Sequence, residues 1–135
     1  LLSHLPLQEE LFIIAKQDLK SPFMDLKIAV IRYLASCHNE KANQLFFDLS
    51  HNQHWQIRAV IAKILGSIHT EKSIVILKER LRDEALRVRL NAAYSLAKKG
   101  KDGIKILKEQ SRNKDKFAYE TAQDVLRQMG LDHNQ

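Results

Sequence analysis

Three stretches of the chain can be laid on one another without a gap: MDLKIAVIRYLAS from Met24, WQIRAVIAKILGS from Trp55 and LRVRLNAAYSLAK from Leu86, starting 31 residues apart. A fainter copy, KFAYETAQDVLRQ, follows 30 residues later from Lys116. Self-similarity at such a period confines a chain to architectures in which one small unit buries its apolar side only against the next.

Within each copy the apolar residues recur in steps of four, three and one, which is helical spacing. Leu26, Val30, Tyr33 and Leu34 match Ile57, Ile61, Ile64 and Leu65, then Val88, Ala92 and Leu96, then Ala118, Ala122, Val125 and Leu126. Leu stands at 34, 65, 96 and 126, so a column of identical residues is expected inside the stack. Ser21, Asn52, Asp83 and Asn113 recur just ahead of these helices and are residue types that accept from free backbone N–H groups, so each is expected to be an N-cap.

A shorter second helix is expected after each of the first three copies. Ala42, Leu45 and Leu49 correspond to Ile74, Leu77 and Leu81, then to Ile104, Leu107 and Ser111. Turns at Cys37-His38-Asn39, His69-Thr70 and Gly100-Lys101-Asp102 would close each pair into a helical hairpin. With only four Gly and two Pro, the chain has little of the punctuation that strands and tight hairpins require. The expectation is an all-α protein with one repeat domain over residues 1–135. It comprises a closing helix at 6–20, full repeats at 21–51, 52–82 and 83–112, and a half repeat at 113–130. The run Leu11-Phe12-Ile13-Ile14 is apolar on too many sides for an end cap, whereas the fourth copy carries a polar outer face; the chain therefore reads as the C-terminal part of something longer.

A capping Asp or Asn, a Val-Arg or Ile-Arg pair, an Ala-rich helix ending in Leu-Gly or Leu-Ala and a short second helix together resemble HEAT repeats. The likeness is greatest to the short class of roughly 30 residues found also in phycobiliprotein lyases. Asp83 to Arg89 with Asn91 to Ala97 carries it best, and Ile57-Arg58 to Leu65-Gly66 nearly as well. The resemblance implies a right-handed α-solenoid of helical hairpins whose second helices line the concave side. It also implies a ladder between neighbouring repeats, carried by Asp83 with Arg58 or Arg89, with Lys27 and Tyr119 replacing the Arg at the two ends.

Charge is the feature that bears on partners. Residues 1–52 hold five Lys or Arg against six acids, and residues 53–135 hold seventeen against ten. Lys72, Lys78, Arg82, Lys105, Lys108 and Arg112, with Val75 as an apolar contact, fall on or near the free faces of the second helices. A basic concave strip for an acidic protein partner, or for another domain of the same polypeptide, is one reading; a solvated face with Lys–Glu neighbours is the other. Nucleic acid would call for denser cations interleaved with stacking aromatics. No nucleophile with a base, Gly-rich phosphate loop or carboxylate pair can be assembled, so a non-catalytic scaffold is expected, with no cofactor and no metal. The rival is a lyase, chaperone-type or nucleic-acid-binding relative using the same basic face.

His38 and His69 occupy equivalent turns, and His51 and His54 stand three apart, but convergent further ligands are missing. Trp55 aligns with Met24 and Leu86 and is expected to pack at a helix start rather than to form a binding platform. Cys37 is the single cysteine and so has no partner for an internal disulfide, which suits a reducing compartment; a cytoplasmic, monomeric protein is the expectation.

Overall fold

The structure is a computed structural model, and it describes residues 7–112 and 115–131. These residues form eight α-helices and no strand: α1 (Leu7–Asp18), α2 (Met24–Ser36), α3 (Asn43–Leu49), α4 (Trp55–Leu65), α5 (Glu71–Arg80), α6 (Leu86–Lys98), α7 (Lys101–Gln110) and α8 (Lys116–Gln128). A 3-10 turn, Glu40–Ala42, leads into α3. The fold is an all-α, solenoid-like succession of helical hairpins.

The chain divides into two compact units at Leu45/Phe46. In the first, α1 packs against α2, and Lys41 donates from its ammonium to the Glu9 carboxylate. The buried stripe of α2 is Val30, Ile31 and Leu34. Leu26 and Tyr33, expected on that stripe, are exposed, because a helix packed on one side buries a band narrower than its apolar arc. Ile13 and Ile14 of α1 are also exposed.

In the second unit α6 is central and touches α4, α5, α7 and α8. Its apolar stripe, Val88, Ala92 and Leu96, is fully buried, as are Ile57, Ile61 and Leu65 of α4 and Ala118, Ala122 and Val125 of α8. The column residues Leu65, Leu96 and Leu126 are therefore all in the core, and so is Leu34 in the first unit.

Polar bonds fix the direction of the stack. Asn91 Nδ2 donates to the Ala59 carbonyl at 2.8 Å, Ser95 Oγ to the Ala62 carbonyl at 2.6 Å, and Lys98 Nζ to Ser67 Oγ at 3.2 Å. Lys99 reaches the Ile68 carbonyl, and burial with the neighbouring Lys98 charge lowers its ammonium pKa. Each donor lies 31 to 33 residues after its acceptor. A constant offset is possible only if α4 and α6 run parallel. Between α6 and α8 the offsets are 32, for Arg89 to Thr121, and 34, for Tyr94 to Gln128, so α8 continues the same direction.

The helix starts correct the expected caps. The N-caps of α2, α4 and α6 are Phe23, His54 and Ala85, none with a side-chain bond. Ser21 Oγ, Asn52 Oδ1 and Asp83 Oδ1 accept instead from the N–H of those N-cap residues, at 3.1, 2.9 and 2.9 Å. They close the turn that reverses the chain before each helix, the local bond that short polar side chains make two residues onward. Asn113 lies outside the described residues; α8 is capped by Asp115, whose carboxylate accepts from the Ala118 N–H at 3.0 Å. The start of α5 is closed by Thr70 and Ser73, each side chain accepting from the other's backbone N–H.

Of the expected triads, Ala42, Leu77, Leu81 and Leu107 are buried, and the other members lie at the margin of the core. Buried positions are Phe46 and Phe47 of α3, Ser73, Ile76 and Leu77 of α5, and Gly103, Leu107 and Gln110 of α7, whereas Leu45, Leu49, Ile74 and Ile104 are half-buried. The smallest residue marks the closest approach: a Cβ on Gly103 would lie 1.7 Å from the Leu96 carbonyl oxygen. The third turn is also tighter than expected. Gly100, at φ 83°, alone separates the Lys99 C-cap from α7, which already contains Lys101 and Asp102.

Candidate functional site

Arg58 and Arg89 both bond to Asp83, Arg58 across the seam between repeats and Arg89 within its own repeat. Arg58, in the first turns of α4, donates through Nε and Nη2 to the two Asp83 carboxylate oxygens at 2.8 and 3.0 Å. Its Nη1 donates to the Asn52 and Gln53 carbonyls at 2.8 and 3.1 Å. Arg89 repeats the second half of this pattern, with Nη1 on the Asp83 and Glu84 carbonyls at 2.9 and 3.1 Å. Its Nε goes to Thr121 Oγ1 at 3.2 Å, and its guanidinium lies 4.4 Å from the centre of the Phe117 ring.

Asp83 is the junction, since its carboxylate holds α4 and its carbonyl holds α6. Its side chain is 3% exposed, and Arg80 Nη1 adds a second cation at 3.4 Å. Burial by itself would raise the carboxyl pKa. The Arg58 hydrogen bonds, the Ala85 N–H and the charges of Arg58 and Arg80 together outweigh it and hold the group below its ordinary value. On the other side of the pair, the bond to Asp83 raises Arg58 against the opposing effect of burial. An ion pair so enclosed fixes register between repeats.

All seven residues expected to meet a partner are exposed. Lys72, Val75 and Lys78 lie on α5 with Arg82 just past its end; Lys105 and Lys108 lie on α7 with Arg112 just past its end. Lys78 and Lys108 hold equivalent places, as do Arg82 and Arg112, and both helices pack on α6. The Lys72 ammonium sits 5.1 Å from the centre of the Phe47 ring, so part of its charge is already directed at its own protein. Exposed acids are interspersed, Glu71 and Glu79 on α5 and Asp102 and Glu109 on α7. The face is therefore mixed with a positive excess.

Trp55 overturns its expectation, being 46% exposed at the first position of α4. Leu86, its counterpart in α6, is 57% exposed. The alignment of these two positions was visible in sequence; their exposure was not, because an apolar residue at a helix start reads as packing. Among the described residues no three His, Cys, Asp or Glu side chains converge on a common point, and no helix is long and apolar enough to cross a membrane.

The family model for HEAT repeats matches residues 14–97 and, in a second overlapping alignment, residues 49–127. No curated protein matches the chain.

Proposed function

The chain belongs to the HEAT-repeat family, whose repeats generally mediate protein–protein interaction, and we propose that it is a non-catalytic docking module whose second-helix face receives an acidic protein surface. The observation that carries this reading is the recurrence of exposed cations at equivalent places, Lys78 of α5 with Lys108 of α7, and Arg82 with Arg112 just past the ends of those helices. Lys105 and Lys72 extend the row, and Val75 supplies an apolar contact within it. Opposite charge in a partner would steer encounter and set orientation, with the interspersed acids Glu79 and Glu109 rejecting the wrong register. The face is sparse in aromatic groups, which favours a protein over a nucleic-acid strand.

The test is binding at increasing salt, with acidic proteins, DNA and RNA compared side by side, using wild type and the Lys78→Glu, Lys108→Glu double variant. An acidic protein should bind, and the double variant should weaken it by about tenfold or more while melting at an unchanged temperature. Equal affinity for both proteins would remove the second-helix face from consideration. Binding to DNA and RNA alone, falling steeply with salt, would move the assignment to a phosphate-binding module.

A further inference from the structure

The parallel run of α4, α6 and α8 puts three helix starts on one edge of the second unit, and each start leaves a large apolar side chain in water. Trp55 and Leu86 are the first residues of α4 and α6, and Phe117, the second residue of α8, is 43% exposed. Single exposed apolar residues are common. Here Trp55 and Leu86 hold the same place in successive helices and Phe117 stands one position past their counterpart, Lys116, so that each of three parallel helix starts carries one, in a row. Packed helices lie roughly 8–10 Å apart, so the row has that step and spans about 20 Å.

The chemistry around the row is positive. Arg87 and Lys116, next to Leu86 and Phe117, are exposed, and the Arg89 guanidinium stacks on Phe117. The negative charge of Asp83 is taken up by Arg58 and Arg80. Neither His54 nor Ala85 caps its helix with a side chain, so the positive ends of the α4 and α6 dipoles also face this edge. Glu84, exposed, and Asp115, the half-buried cap of α8, also lie here and offset part of the charge.

We propose that this edge is a second docking surface, separate from the α5 and α7 face, that takes an extended acidic peptide bearing apolar side chains at every third position. A polyproline-II strand has three residues per turn and rises about 3.1 Å per residue, so residues three apart share a side about 9 Å from one another. That repeat falls within the roughly 8–10 Å usual between packed helices. Carboxylates at the intervening positions would meet Arg87, Lys116 and the uncapped helix starts. About seven residues cover the row.

The test begins with selection of displayed random heptapeptides on the intact chain, followed by titration of the selected peptides. Trp55 is the only tryptophan in the chain, so its emission reports the edge directly. Acidic peptides with apolar residues spaced by three should be enriched, and binding should shift Trp55 emission to shorter wavelength. Leu86→Glu puts an acid where a helix start tolerates it well, so the variant should fold, checked by its melting curve, and should weaken these peptides by about tenfold or more. Lys78→Glu with Lys108→Glu should leave them within about twofold. Selection without enrichment of acidic peptides, an unmoved Trp55 emission, or equal binding to Leu86→Glu would each overturn the proposal. Peptides that bind without moving Trp55 but are lost on the Lys78 and Lys108 variant would support the second-helix face alone.

Discussion

Arg58 and Arg89 hold the same place in successive repeats, yet they join their neighbours by different chemistry. Both send Nη1 to the two carbonyls five and six residues upstream, which fixes the turn ahead of their own helix. Toward the next repeat, Arg58 meets a carboxylate in a paired, buried bond, whereas Arg89 meets the Thr121 hydroxyl and the face of Phe117. The backbone half is common to both, and the half across the seam is exchangeable. A repeat needs its arginine to hold the turn; it can stack on the next repeat through an ion pair or through a neutral bond and a ring.

The contrast can be broken by removing the seam partners in turn. Asp83→Ala leaves the Arg58 and Arg80 charges enclosed without their counter-ion and should cost about 3–5 kcal/mol in denaturant melts. Thr121→Val, its neutral counterpart, should cost only about 1 kcal/mol; equal losses would show that the two seams are energetically the same. Among the column residues, Leu96→Ala, in a helix touched by four others, should cost about 2–5 kcal/mol and more than Leu126→Ala in α8. The opposite ranking would contradict the central place of α6.

Two smaller effects sharpen the comparison. A glycine inside an exposed helix ordinarily gains about 0.5–1 kcal/mol on change to Ala. At Gly103 the added methyl would meet the Leu96 carbonyl, so Gly103→Ala should instead destabilise by about 1–3 kcal/mol. Because the folded Asp83 carboxyl lies below its ordinary value, its contribution is full above about pH 4 and is lost as pH falls through the folded value. The stability gap between wild type and Asp83→Asn should therefore narrow below about pH 4, measured as urea midpoints across a pH series. A gap constant with pH would mean that Asp83 acts through its hydrogen bonds alone.

The 31-residue period, the helical stripes and the Leu column were legible because burial on one helix face imposes a spacing that survives in sequence. The ladder followed from a family resemblance; Arg58 bonds the Asp83 carboxylate across the seam, whereas the Arg89 bond to Asp83 stays within one repeat. The cap positions were misplaced by two residues, since Ser21, Asn52 and Asp83 bond locally in a turn, and a short polar side chain carries no mark of whether it closes a turn or a helix. Of the second-helix triads, Ala42, Leu77, Leu81 and Leu107 were placed correctly, whereas Leu45, Leu49, Ile74 and Ile104 are apolar residues that look like core and sit at its margin. Gly103, a glycine within a helical pattern, was the available signal of close approach. Asn91 and Ser95 gave another, as polar residues between α4 and α6 that find carbonyl acceptors there.

The sequence by itself determined the repeat period, which face of α4, α6 and α8 turns inward and where the excess positive charge lies, because these follow from period and composition along the chain. The tertiary structure decided which partner each arginine takes across the seam and how closely α7 approaches α6. It also decided that Trp55, Leu86 and Phe117 stand in water along one edge. Those outcomes depend on distances between residues about thirty positions apart, which a linear pattern permits but does not set.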